Sequence, residues 1–300
     1  RIIDAPTDLV WLIGRVLAGE GDDVAAARAL QAEIRLDAPA GRARPLAVER
    51  WSGPPVDTMA AWLAQPEAAA DFAPHFFNNL CRGLAEQAIP AADRGLADWL
   101  GRSGLNASLD FDFVQLPDDL RAGLVQGLCD GAAQVLQGSR SRKARPWATS
   151  FGIGRYGTDY LVRALTVYKG LGALAPDEAV YAMSDFDGGR QPYDGRRRYR
   201  LRFAPGELPP VDGFWSVTLY GADRFLHPNP LGRHAIGDRT PGLRHDADGG
   251  LTLEIAHDAP ADASNWLPAP AGNFYLVLRM YLPRPEVRGW PIPPVRQVGA

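Results

Sequence analysis

Two hydrophobic periods divide the chain. From Val24 to Leu128 apolar residues recur three and four positions apart: Val24, Ala27, Leu30 and Ile34; Met59, Trp62 and Leu63; Phe72, Phe76, Leu80 and Leu84; Leu96, Trp99 and Leu100; Leu120, Leu124 and Leu128. Such spacing makes one face of a helix apolar, so each run predicts an amphipathic helix that buries its stripe. Asp23 and Asp57 stand where N-caps belong, while Gly41, Pro45 and Ser52-Gly-Pro-Pro55 read as connection. Residues 57–138 are therefore expected to be mainly helical, with a further helix over Thr158 to Gly170.

Beyond Pro176-Asp-Glu-Ala-Val180 the period falls to two. Tyr199, Leu201 and Phe203 alternate with Arg198, Arg200 and Arg202, and Leu251, Leu253 and Ile255 alternate with Thr252 and Glu254. Phe274, Leu276, Leu278 and Met280 alternate with Tyr275, Val277, Arg279 and Tyr281. These are strand patterns. Turn signals at Asp187-Gly-Gly189, Asp194-Gly195, Asp212-Gly213, Pro241-Gly242 and Asp248-Gly-Gly250 separate them at the short spacing of an antiparallel assembly. At least five antiparallel strands are expected over 197–282. Helices first and strands second make an α+β chain: a helical N-terminal region followed by an antiparallel β-sandwich, jelly-roll-like.

Composition narrows the function classes. A chain of 300 residues with 46% hydrophobic content can bury a substantial core. A formal charge of -3 and a pI near 6.0 give no general attraction to nucleic acid, and the basic clusters Arg140-Ser-Arg-Lys-Ala-Arg145 and Arg196-Arg-Arg198 are short. Arginine outnumbers lysine 30 to 2, which reads as a GC-rich genome more readily than as thirty anion sites. No apolar run approaches the ~18 residues of a membrane span. Cys81 and Cys129 lie in apolar helical contexts, where a buried free thiol is expected.

Several motifs come close to known chemistry and fall short. Gly152-Ile-Gly-Arg-Tyr-Gly157 matches the dinucleotide fingerprint, but Lys143-Ala-Arg-Pro-Trp147 before it is no buried strand, so a glycine-rich helix entry is the better reading. Asp185-Phe-Asp-Gly-Gly189 and Asp246-Ala-Asp-Gly-Gly250 lack the remaining ligands of a calcium loop and read as hairpin turns. The five histidines form no zinc pattern, although His227 and His234 could converge if their loop folds back. Neither the GxSxG elbow nor a catalytic-cysteine context occurs. No metal or cofactor is assigned.

What remains is a polar set on an aromatic background: Tyr156, Asp159 and Arg163 at a helix start; Trp215, Ser216 and Tyr220 on a strand; Asn229 and Arg233 in one loop; Asn265 and Trp266 in another; Arg279 and Tyr281 on the last strand. Arginine suits a carboxylate or phosphate, tryptophan an apolar wall, and asparagine the orientation of a ligand. Asp159 and Asp187 are the candidates for a general base. The opposing reading is that the same groups brace loops by bonding backbone, with Asp159 and Arg163 an ordinary helix pair.

Leu208-Pro-Pro210, Phe214-Trp-Ser-Val-Thr-Leu-Tyr220, His227-Pro-Asn-Pro230, Asn265-Trp-Leu-Pro-Ala-Pro270 and Phe274-Tyr-Leu-Val-Leu-Arg-Met-Tyr-Leu-Pro283 resemble bacterial proteins with the paired domains of unknown function 1254 and 1214. Ala5-Pro-Thr-Asp-Leu-Val-Trp-Leu-Ile-Gly-Arg15, with Asp23 and Ala29-Leu-Gln31, resembles the close of the first domain. The resemblance implies the tail of an upstream domain over 1–40, a helical region over 41–175 and a β-sandwich domain over 176–300. It implies no reaction, and it favours the periplasm or envelope while leaving the cytoplasm open. Trp11, in the run Leu9–Ile13, would then need cover from further polypeptide upstream, a partner chain or a second copy, so a homo-oligomer is expected. Two functions stay open: binding, with or without transformation, of a small anionic or amphipathic molecule at the sandwich mouth, or an envelope or assembly module whose aromatic loops form a subunit interface.

Overall fold

The computed structural model describes residues 16, 22–35, 66–140 and 146–299. The Leu9–Ile13 run with Trp11, the helix expected from Asp57 and most of the Arg140–Arg145 cluster lie outside the described residues. The chain divides between Ala133 and Gln134 into two compact units.

The first unit carries α1 (Asp22–Glu33), α2 (Pro66–Glu86) and α3 (Arg94–Arg102), and α4 (Asp118–Arg140) runs across the division. The expected helices over 66–138 are present, but the buried stripe of α2 sits one residue away from the expected one. Ala69, Ala73, Phe77 and Cys81 are buried, whereas Phe76 is 39% exposed. Small residues allow close approach there: Phe77 stacks on Phe113 at 5.4 Å, and both pack with Leu105 and Leu128. Burial pushes the Cys81 thiol up to about 11, the behaviour of a packing residue rather than a nucleophile. Asp23 lies inside the first turn of α1 rather than before it, and Leu30, Ile34 and Trp99 are exposed among the described residues, so those parts of the expected stripes are not core.

The second unit opens with β1 (Ala148–Thr149), then α5 (Tyr160–Gly170), β2 (Ala179–Ser184), β3 (Arg198–Phe203), β4 (Val211–Gly221), β5 (Ala235–Gly237), β6 (Leu251–Ala256), β7 (Trp266–Pro268), β8 (Phe274–Pro283) and β9 (Arg296–Val298). The class is mixed α+β. Helices do not all precede strands, since α5 follows β1. One sheet has the order β1-β2-β8-β4-β5 and the other β7-β6-β3-β9. All pairs are antiparallel except β6 with β7, which run parallel. Asp212-Gly213 is not a turn but a bulge inside β4, where a Cβ on Gly213 would stand 2.7 Å from the Tyr281 carbonyl oxygen.

Alternation places the core. Trp215, Val217 and Leu219 on β4 stand opposite Met280, Leu278 and Leu276 on β8, and Leu201 on β3 stands opposite Leu253 on β6. These inward residues of both sheets form one buried cluster, crossed by ring contacts from Tyr199 to Phe274 and from Phe203 to Trp215. Each such side chain contributes roughly 1.5–3 kcal/mol by leaving water. On the outward side, Arg200 pairs with Glu254, and Arg202 with Asp246 and Asp248.

Candidate functional site

Each sheet ends in a short strand on one side, β1 for the first and β9 for the second, and these two edges do not pair with each other. Between β1 and the segment that leads into β9 lies a cleft of about 710 Å³. Its strand wall is the chain through Trp147, Thr149, Ser150 and Phe151; its other wall is Val287–Ile292 with Pro294; Met280 of β8 is part of the lining. Pro-rich sequence explains the second wall, because Trp290-Pro-Ile-Pro-Pro294 offers few N–H donors and cannot close onto a strand edge as a ladder.

The walls are held from behind. Trp147 donates its indole N–H to the Pro293 carbonyl at 2.8 Å, and the Ser184 hydroxyl bonds the Pro146 carbonyl at 2.6 Å. Trp290 stacks on Phe203 with ring centroids 6.2 Å apart. Arg288, at the end of a 3-10 turn over Pro285–Arg288, lies over the Phe151 ring at 4.6 Å. Among the described residues Arg288 is the one ionisable side chain lining the cleft, where the other polar groups of side chains are the hydroxyls of Thr149 and Ser150 and the indole N–H groups of Trp147 and Trp290.

The residues singled out from sequence fall elsewhere. Asn229 folds its own loop: its amide donates to the His227 and Arg233 carbonyls and its oxygen accepts from the Leu231 and Arg233 N–H groups. Arg233 reaches across to the next loop, where Nη1 donates to the carbonyls of Ala263, Ser264 and Trp266 at 2.8, 3.1 and 3.0 Å. Asn265 joins Arg244 and Thr252 through three backbone bonds, and the Trp266 indole bonds the Ala256 carbonyl. The structure thus brings these four into neighbouring loops, with their polar atoms directed to backbone.

Asp159 caps α5 by accepting from the Val162 N–H, and Arg163 lies over the Tyr160 ring on the same helix; Tyr156 precedes the cap, its carbonyl bonded by the Asp159 N–H. Asp187 is buried and closes its turn by accepting from the Gly189 and Gln191 N–H groups. Trp215 faces the core and is 3% exposed. Arg279 and Tyr281 lie on the outer face of the first sheet, where Arg279 bonds the Tyr220 hydroxyl at 2.6 Å and stands opposite Ser216, while Tyr281 stacks on Phe214. On that face burial, with the Tyr220 charge next, pushes the Tyr275 hydroxyl up to about 12. Among the described residues no group of three or more histidine, cysteine or acidic side chains is placed to hold a metal ion, and no helix is long and apolar enough to cross a membrane.

Sequence reasoning passed over Trp147, Phe151, Arg288 and Trp290. The signal that could have found them is the pair of proline-flanked tryptophans, Pro146-Trp147 and Trp290-Pro291, which are large apolar groups in stretches without strand or helix period.

The fold and cleft define an α+β protein with a two-sheet unit open at one edge. Residues 178–285 match the protein of unknown function family DUF1214, and residues 1–38 match DUF1254, which is covered only in part. The aromatic and proline segments from Leu208 to Pro283 all lie inside the DUF1214 match. Among solved structures, the VPA0106 protein from Vibrio parahaemolyticus is similar over 94% of this chain and 67% of its own, with 26% identity and a TM-score of 0.56. An uncharacterised protein from Burkholderia cenocepacia matches 69% of this chain at 18% identity and a TM-score of 0.31, and this chain spans about half, 49%, of its length. Among curated proteins none matches.

Proposed function

We propose that the second unit binds a small amphipathic molecule in the cleft between β1 and the Val287–Pro294 segment. The observation that carries this is the cleft itself: about 710 Å³, walled by Trp147, Phe151, Trp290 and Ile292, with a single cation at Arg288. Volumes of ~300–1,000 Å³ with apolar walls and few polar groups suit small ligands. The reading takes the two sheets as leaves of a β-sandwich, supported by their common core; β2, β3 and β4 alternate between the sheets, as a jelly-roll-like winding requires. The cleft is then the sandwich mouth, and binding there is the proposed activity.

The test is titration with 1-anilinonaphthalene-8-sulfonate, an amphipathic fluorophore. Saturable one-to-one enhancement that disappears in Thr149→Trp, which fills the cleft from an exposed edge position, supports the reading. Enhancement unchanged by that substitution contradicts it.

A second reading, a subunit interface, is carried by one loop. Phe225, Leu226 and Leu231 are 74%, 44% and 50% exposed within a stretch of seven residues. Clustered exposed apolar groups mark interaction surfaces. Self-association in light scattering that is lost in Phe225→Ser supports it, and a monomer at all concentrations contradicts it.

A further inference from the structure

We infer that the cleft selects a carboxylate-bearing amphiphile and that Arg288 is the residue that sets this specificity. The inference rests on the cleft being a binding site and goes on to name the chemistry of what enters it.

Charge and geometry together choose the head group. Among the described residues Arg288 is the one ionisable side chain in the lining, and no carboxylate pairs with it. Its contact with the protein is the Phe151 ring, 4.6 Å from the guanidinium carbon to the ring centroid. A guanidinium held over a ring keeps its N–H groups directed outward around its edge, where two of them match the two oxygens of a carboxylate. The turn that carries it is fixed at both ends: the Val287 N–H bonds the Arg284 carbonyl at 3.0 Å, the Gly289 N–H bonds the Glu286 carbonyl at 3.0 Å, and the Arg284 N–H bonds the Pro210 carbonyl at 2.9 Å. The cation is therefore displayed from a braced position rather than from a free chain end.

One positive charge matches one negative charge. A phosphate monoester brings close to two charges at neutral pH and calls for several cations or a row of N–H donors. Apart from Arg288, the described lining side chains supply only neutral donors, the hydroxyls of Thr149 and Ser150 and the indole N–H of Trp290, beside a proline-rich wall at 291 and 294 that has no N–H to give at those positions. A cationic head group would meet Arg288 unfavourably, and a neutral one would leave it without a partner. The apolar remainder of the ligand is matched by Trp147, Trp290, Ile292 and Met280, whose surfaces accept hydrocarbon without polar direction.

The experiment titrates the intact chain with octanoate, 1-octanol, octyl phosphate and octyltrimethylammonium, reading tryptophan fluorescence, since Trp147 and Trp290 both line the cleft. Octanoate is expected to bind at least tenfold more tightly than each of the other three. Arg288→Gln should abolish that difference, leaving octanol affinity and melting temperature as in the parent. Equal affinities for all four probes, or tighter binding of octyl phosphate, overturn the carboxylate assignment while the cleft still binds. A preference for octanoate that persists in Arg288→Gln overturns the role of Arg288. If no probe binds, the cleft reading fails together with this one.

Discussion

The two edges of the double-sheet unit solve the same problem in opposite ways. At the β5–β7 edge, irregular loops come together and Arg233 stitches them, one guanidinium nitrogen serving three carbonyls of the neighbouring loop. Asn229, Asn265 and Trp266 do the same work nearby, each bonding backbone. At the β1–β9 edge, prolines remove donors, tryptophans supply bulk, and the gap stays open as a cleft. Loops without ladder partners must still pair their buried carbonyls, so polar side chains accumulate where an edge is closed. Where an edge is left open, polar groups become few and each one remaining is informative.

The largest expected contrast is between two tryptophans. Trp266, 6% exposed and bonded to the Ala256 carbonyl, should cost about 3–5 kcal/mol when changed to alanine, a cavity in a closed edge. Trp290→Ala, at a half-buried wall of the open edge, should cost well under half as much while abolishing probe binding. Denaturant unfolding of both variants checks the ordering, and equal losses would dissolve the distinction.

The arginines come next. Arg233→Met leaves three carbonyls without their donor and should destabilise by about 2–3 kcal/mol, the scale of bonds to a charged group, without changing affinity for an amphiphile. Arg288→Gln should change stability by about 0.5 kcal/mol or less, as exposed substitutions usually do. Thermal melts of the pair measure it. A stable Arg233→Met protein that no longer binds ligand would move the site to the closed edge.

Asn265→Ala sharpens the same point at smaller scale. Its side chain holds the Arg244 N–H and the carbonyls of Arg244 and Thr252, so a loss of about 1–2 kcal/mol is expected, with the probe affinity unchanged. Combined with Arg233→Met in a double-mutant cycle, the two should be coupled by at least ~0.5 kcal/mol, because Arg233 holds the carbonyls on either side of Asn265 and both residues fix the same segment.

The regular parts of this architecture were open to reading from the chain. Alternation over Arg198–Phe203, Leu251–Ala256 and Phe274–Met280 marks β3, β6 and β8 and correctly assigns their buried sides, because a strand with one wet face must alternate. β1, β5, β7 and β9 span only two or three residues, too short to show any period, and they are the strands that define both edges. In α2, large phenylalanines drew the expected stripe to Phe72 and Phe76, while the helix buries Ala69 and Ala73, small groups that permit close packing without standing out in a pattern.

The site was harder to read for a related reason. Arginine and asparagine in proline-bracketed loops look the same whether they hold a ligand or a carbonyl, and only geometry separates the cases. The cleft joins residues 146–151 with 280 and 287–294, so its walls are more than a hundred positions apart and share no period. Their common feature is tryptophan beside proline, which marks a braced irregular segment without saying what faces it.

Hydrogen exchange with and without saturating octanoate tests the two-edge account most directly. Slower exchange at Ser150, Phe151, Val287, Arg288 and Ile292, with no change at Asn229–His234 or Ala263–Trp266, is the predicted result. Protection that appears at Arg233 and Trp266 and is absent around Trp290 would contradict it.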